Sequence, residues 1–255
     1  MFPIRDHNPS GRVPYVTFVL IAANVGFFLL YWSLLASDAA LGQFYMVWGL
    51  VPARISYGEG YLTFLTSMFL HGGWMHLAGN MLFLWVFGDN MEEEMGHLGF
   101  LLFYLASGVA AAGAQYLADP ASMIPMVGAS GAIAGVMGGY LLMFPKARVD
   151  VFFFFVVFFR VIPIPAFLVL GIWFAIQLGS GWATAADQGG VAYWAHAGGF
   201  IAGLAMAVPV WLRRGGPGYW GRTHGAPPHP VADYAVVKSR IPRVRRGGPG
   251  PWDAR

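Results

Sequence analysis

Six apolar runs of about 20 residues, nearly free of charge, constrain this chain more than any other feature. They cover about Pro14–Ala36, Thr63–Asn90, Leu98–Leu117, Gly128–Phe144, Ile164–Gly181 and Val191–Leu212. A hydrocarbon core about 30 Å thick is crossed by about 20 helical residues, so runs of this kind suit membrane spans. A span in lipid has to satisfy its own backbone hydrogen bonds, which a helix does without a partner. The expected fold class is therefore an all-α polytopic membrane protein, a six-transmembrane-helix bundle. The composition agrees, with 57% of residues hydrophobic and only 11% charged, far from the globular average.

Positive charge orients the spans, because short loops rich in Lys and Arg stay on the cytoplasmic side. Arg5 and Arg12 precede the first run, Lys146, Arg148 and Arg160 lie between the fourth and fifth, and Arg213 and Arg214 follow the sixth. Arg54 stands alone on the opposite side. Both termini are expected in the cytoplasm, with a bacterial-type plasma (inner) membrane as the location. Three regions follow: a cytoplasmic N-terminal segment 1–13, a membrane domain 14–213, and a basic Gly- and Pro-rich tail 214–255. The first run is read as a retained helix, since no small-residue cleavage site follows it. The tail has too little apolar surface to fold and is expected to be disordered, with Lys238, Arg240, Arg243, Arg245 and Arg246 touching anionic lipid.

The loop Ser37–Leu62 carries Tyr45, Trp48, Pro52 and Tyr57, a mixture suited to short interfacial helices. Glu92, Glu93 and Glu94 read as a solvated helix end. The net charge of +3 sits in the ends and one loop rather than on a folded basic face, which argues against nucleic acid. The chain has no cysteine, so disulfides, thiolate metal sites and thiol catalysis are excluded.

Polar side chains inside the apolar runs are few: His71, His76 and Asn80 in the second, Ser130 in the fourth, and His196 in the sixth. Groups of this kind are costly in a membrane and normally mark function. The second, fourth and sixth runs all end on the cytoplasmic side, so depth can be counted back at 1.5 Å per residue. Ser130, His196 and His76 each lie roughly 22–26 Å above the inner face, at one level below the outer surface. Asn80 is one turn lower than His76 on the same helix face. Gly131, Gly135 and Gly139 repeat every four residues, as do Ala195, Gly199, Gly203 and Ala207, and small residues at this spacing let helices approach closely in lipid.

A serine hydroxyl needs a base within hydrogen-bond reach to become a nucleophile. His196 supplies an imidazole able to take that proton and return it to a leaving amine. No carboxylate lies at that depth, so a dyad is expected rather than a triad. The amide of Ser130 at a helix start, with the side chains of His76 and Asn80, offers donors for an oxyanion. Taken singly, the same residues have plainer readings: a serine bonded to its own helix, His71 bracing a loop at the interface, and His76 with Asn80 joining helices. The three histidines lack metal-ligand spacing and a carboxylate, so no metal and no cofactor is expected.

His71-Gly72-Gly73-Trp74-Met75-His76-Leu77-Ala78-Gly79-Asn80, Gly128-Ala129-Ser130-Gly131 and Ala195-His196-Ala197-Gly198-Gly199 resemble the three signature segments of the rhomboid intramembrane serine proteases. The resemblance runs from the first span to the sixth. It implies a rhomboid-type six-helix bundle whose water-filled site opens toward the non-cytoplasmic side. It implies Ser130 as nucleophile, His196 as base, and His76, Asn80 and the Ser130 amide as the oxyanion hole, with Gly128 beside it and His71, Gly131 and Gly199 in support. The implied substrates are membrane proteins cut within or beside a transmembrane helix, usually after a small residue. Two positions depart from the family pattern. Ala134 stands where many members place an aromatic under the histidine, and Leu62-Thr63 stand where many have Trp-Arg. An inactive relative that binds and escorts transmembrane helices is the alternative, distinguished by having no need of Ser130 or His196. The expected loops over the mouth are the first loop and Ser180–Val191.

Overall fold

The structure, a computed structural model, describes residues 2–155, 158–183 and 191–227. The first apolar run forms α1 (Tyr15–Tyr31), which tightens into a 3₁₀ turn at Trp32–Ala36. The loop after it folds as α2 (Asp38–Trp48) and α3 (Pro52–Ser56), short helices as its aromatics and turn formers suggest. The second run is not one helix. Thr63–Thr66 is a single turn, α4, followed by the 3₁₀ turn Ser67–Phe69, and α5 begins only at Trp74 and continues to Met95. The Gly72-Gly73 pair explains the break, because its backbone freedom disfavours helix there. After Gly96 at φ 73°, a left-handed position suited to glycine, come α6 (His97–Ala118), α7 (Ser130–Met143), α8 (Ala166–Ala183), α9 (Tyr193–Arg213) and α10 (Pro217–Thr223).

The described residues form a mostly helical bundle whose apolar helices suit a membrane. Four of the described helices are long and apolar enough to cross a membrane: α1 with its 3₁₀ extension, α6, α8 and α9. Helix α5 is as long as α6 but carries His76, Asn80, Asp89 and Asn90. Helix α7 has only 14 residues, about 21 Å of helix, less than the hydrocarbon thickness. Length and composition therefore give four spans where the apolar runs suggested six.

Helix α7 is the centre of the bundle. Every residue from Gly131 to Tyr140 is buried, enclosed by α5, α6, α8 and α9. The small-residue stripes meet here. A Cβ on Gly199 would run into the carbonyl oxygen of Gly131, and one on Gly203 into that of Gly135. The two backbones thus touch at the level of Ser130, and no larger residue fits. Around this seam the core is filled by Phe87, Phe100, Tyr104, Met137 and Tyr140, all with no more than 1% exposure.

One end of the bundle carries a small antiparallel sheet that the apolar periodicity did not announce. Strands β1 (Phe2–Asp6), β2 (Arg148–Phe155) and β3 (Phe158–Pro165) lie in the order β1-β2-β3. Arg148 pairs with Pro165 and Asp150 with Pro163, and Phe2 pairs with Phe152 from the other side. Arg5 and His7 both bond the Asp150 carboxylate, at 2.8 Å each, so these two side chains tie the N-terminal segment to β2.

The acidic triplet is not a solvated helix end. Glu92 is 2% exposed and accepts hydrogen bonds from Val16 N, Thr17 N and Thr17 Oγ1 at 2.7–2.8 Å. It thereby caps the first turn of α1, where free N–H groups and the helix dipole favour a carboxylate. Glu93 accepts from Gly11 N, and Glu94 pairs with Arg214 Nε at 2.6 Å.

Part of the expected disordered tail is also ordered. Helix α10 buries Tyr219, packs Trp220 against Trp211 at a tilt of 53° with ring centres 4.8 Å apart, and donates Trp220 Nε1 to Leu142 O. The two aromatics supply the apolar surface that the surrounding Gly and Pro lack. Lys238 to Arg246, and the loop residues 184–190, lie outside the described residues.

Candidate active site

Ser130 is the first residue of α7, and its hydroxyl lies where the helix meets a cavity of about 480 Å³. Ser130 Oγ is 2.7 Å from His196 Nε2 across the α7–α9 seam. The close packing of Gly131 on Gly199 sets this distance, since both polar residues stand one turn or less from that contact. The short length of α7 sets the depth. A helix of full span would carry its first residue to the membrane surface, and this one starts inside the bundle.

His196 is held on two sides by α8. Its Nδ1 is 2.8 Å from Gln177 Oε1, and the Trp173 ring lies 5.7 Å from its ring at 34°. Trp173 and Gln177 are one helical turn apart and so share a face. Ala134, fully buried within α7, has no ring to offer, and the aromatic beside the histidine is Trp173 of α8. At the start of α9 the Ala195 amide donates to Gln115 Oε1 of α6 at 3.2 Å, satisfying one of the free N–H groups of that helix end.

His76 and Asn80 face the same cavity from α5. The Gly72 amide donates to His76 Nδ1 at 3.2 Å. Because that nitrogen accepts, the neutral ring carries its proton on Nε2. Nε2 in turn points at Gly128, where a Cβ would sit 2.9 Å from it. Asn80 Nδ2 is buried and has no hydrogen-bond partner among the described residues, an unusual state for a buried donor. The Ser130 amide is one of the first N–H groups of α7, which have no partner inside the helix. His76, Asn80 and Ser130, the residues that carry these donors, all line the same cavity.

Gly128 contributes room rather than a donor. Its own amide bonds Ser67 O at 2.9 Å, and its φ of 132° together with the approach of His76 excludes a side chain. His71 is fully buried and lies outside the cavity wall. Its backbone does the bracing: the carbonyl accepts from Tyr31 and Tyr45 hydroxyls and the amide donates to the Tyr31 oxygen at 2.6 Å. Its ring packs edge-on to the His76 ring at 5.1 Å.

The loops over the cavity are tied to one another. Leu50 and Met126 exchange both backbone hydrogen bonds, at 3.0 and 2.8 Å. Arg54 Nη1 donates to Met46 O and Thr66 Oγ1 to Trp48 O, which ties α3 and α4 to α2 in the first loop. Phe83, Ile133 and Met137 give the cavity an apolar side.

Sequence reasoning did not single out Gln177, Trp173 or Gln115. The signal for Gln177 was available: it is a lone carboxamide in the fifth apolar run, with an aromatic four residues before it.

The fold and the site together define an integral membrane protein in which a serine and a histidine from two closely packed helices meet inside the bundle. Residues 58–213, more than half of the chain, match the family model described as the Rhomboid domain, and the chain belongs to the rhomboid family. It is similar to rhomboid-like protein 11, chloroplastic, of Arabidopsis thaliana, with 44% identity over 29% of this chain and 26% of that one. It is similar to rhomboid protein 1, mitochondrial, of Saccharomyces cerevisiae, with 32% identity over 56% of this chain and 40% of the relative. Rhomboid protease GluP of Bacillus subtilis is 35% identical over 60% of this chain and 26% of its own length. The matched stretches thus span less than half the length of these relatives.

Proposed function

We propose that this chain is an intramembrane serine endopeptidase that hydrolyses a peptide bond within or beside a transmembrane helix of a membrane-protein substrate. The observation that carries the reading is the 2.7 Å contact between Ser130 Oγ and His196 Nε2, in a cavity also lined by Asn80, whose Nδ2 has no partner among the described residues. The name of the Bacillus subtilis relative, a rhomboid protease, supports the same class of reaction.

In this reading the Ser130 oxygen attacks the scissile carbonyl carbon while its proton passes to His196 Nε2. The carbonyl π electrons move onto oxygen, where the Ser130 amide, His76 Nε2–H and Asn80 Nδ2 donate to the developing charge. Each such donor is worth about 3–4 kcal/mol in a site shielded from bulk water. Collapse of the tetrahedral species breaks the C–N bond, and His196 returns the proton to the leaving amine. Water then repeats the attack on the ester and frees the serine. Neither step draws on a cofactor.

In this reading, which the charge pattern supports, the sheet end of the bundle and both termini lie in the cytoplasm and the cavity opens to the other side of a bacterial-type plasma membrane. Membrane domain 14–213 would then act on substrates entering from the bilayer.

The test is cleavage of a fluorescent single-span substrate in liposomes. Wild type is expected to cut it, and Ser130→Ala and His196→Ala to fall to background while melting at the wild-type temperature. Equal cleavage by Ser130→Ala, or binding of the substrate helix without any cleavage by wild type, would replace the protease by a helix-binding relative.

A further inference from the structure

We propose that Gln177 is the positioning residue of the site, holding His196 as the Nδ1–H tautomer so that a bare Nε2 faces Ser130. This rests on the hydrolytic reading for its consequence, though not for its geometry. A neutral imidazole has one donor and one acceptor nitrogen, and only the Nδ1–H form can accept the serine proton at Nε2. Something on the far side of the ring has to choose that form. In the described structure it is a carboxamide.

The orientation of that carboxamide follows from its own partners. Gln177 is 7% exposed in α8, among lipid-facing neighbours such as Ile172 and Ile176, both about half exposed. A polar group there must find partners within the protein. Its Nε2 donates to the Trp173 carbonyl at 3.4 Å, a group that only accepts. The oxygen end is therefore turned toward His196 Nδ1, 2.8 Å away. The flipped amide would set two oxygens against each other at Trp173 and press N–H donors on the ring. The Trp173 indole, one turn back, packs beside the ring and limits its rotation. A directed chain results: Ser130 O–H to His196 Nε2, His196 Nδ1–H to Gln177 oxygen, and Gln177 N–H to Trp173 oxygen.

When the ring takes the Ser130 proton it becomes an imidazolium, and the Nδ1–H···O bond becomes charge-assisted. Gln177 thus favours both the right starting tautomer and the charged state that follows. It never touches the reacting atoms, and a neutral oxygen does this without placing a carboxylate in the bilayer.

Full-length protein bearing Gln177→Met, which keeps length and loses both polar atoms, is compared with Gln177→Glu, which keeps an acceptor and adds charge. For Gln177→Met, kcat is expected to fall about 10- to 100-fold, with KM unchanged. Gln177→Glu is expected to keep kcat near wild type at neutral pH and to move the acid limb of the pH profile upward, since a carboxylate stabilises the imidazolium. Independently of turnover, nitrogen-15 spectra of histidine-labelled protein in detergent, assigned by loss of one signal in His196→Gln, are expected to show a protonated Nδ1 and a bare Nε2 in wild type. A wild-type spectrum with the proton on Nε2 overturns the proposal, as does equal impairment of Met and Glu variants, which would mean packing alone. If wild type cleaves nothing, the nitrogen spectrum still decides the role of Gln177, so the two readings fail separately.

Discussion

At the residue scale, the site is an exercise in satisfying some polar groups and leaving others free. His76 Nδ1, Gly128 N and His196 Nδ1 all have partners, while Asn80 Nδ2 has none among the described residues. A buried donor without a partner costs about 1–3 kcal/mol of stability, and the proposed oxyanion role would give it a use. Asn80→Ala is therefore expected to lower kcat about 100-fold or more with little change in KM, and to leave the melting temperature at or above wild type. A loss confined to KM in steady-state cleavage would argue against that role. Ser130, His196, His76 and Asn80 were legible in the sequence because hydroxyl, imidazole and carboxamide stand out against an apolar run, and counting along helices put three of them at one depth. Gln177 escaped because it lies on a helix entering from the other side and had no counterpart at its level until the fold turned α8 toward α9.

At the element scale, the controlling feature is the α7–α9 seam. Two glycine pairs let backbones touch, and α7 is kept short, so Ser130 is delivered inside the bundle. Gly199→Leu would force the helices apart at the level of the serine. Overpacking of this kind costs about 1–3 kcal/mol, so a clear drop in melting temperature is expected, together with loss of cleavage. An unchanged melting temperature would show that the seam is looser than described. The glycine stripes were readable from their four-residue spacing. The sheet was not, because β1 and β2 are about 145 residues apart in the chain and pair through backbone groups, which leave no periodic mark. The same reason hid the role of Glu92: a charge run reads as solvated until another helix end is brought onto it.

At the scale of the whole molecule, the sheet end acts as a clasp joining the N-terminal strand, the end of α7 and the loop before α8. Asp6 sits within it, accepting from the Tyr140 hydroxyl at 2.6 Å. Burial pushes its carboxyl up to about 6 from the ordinary 3.8, against the opposing pull of the Tyr140 bond. The folded protein then holds a proton between about pH 4 and pH 6 that the unfolded chain has released. Stability from this group is accordingly full below pH 4, falls as pH rises through that window, and stays low above it. Asp6→Asn keeps an oxygen for Tyr140 and removes the charge. It is expected to melt above wild type at pH 8 and to converge with it at pH 4. A difference that persists unchanged at pH 4 would assign the effect to something other than this carboxylate.

The account turns on whether the hydroxyl of Ser130, half-buried at the cavity wall, is a nucleophile made reactive by His196. A fluorophosphonate that bonds only activated serines, followed by intact-protein mass and peptide mapping, asks this without any assumption about substrate. One adduct per chain on Ser130 in wild type, none in Ser130→Ala and a rate reduced by orders of magnitude in His196→Ala is the predicted result. No adduct in wild type, or labelling that survives unchanged in His196→Ala, would contradict it.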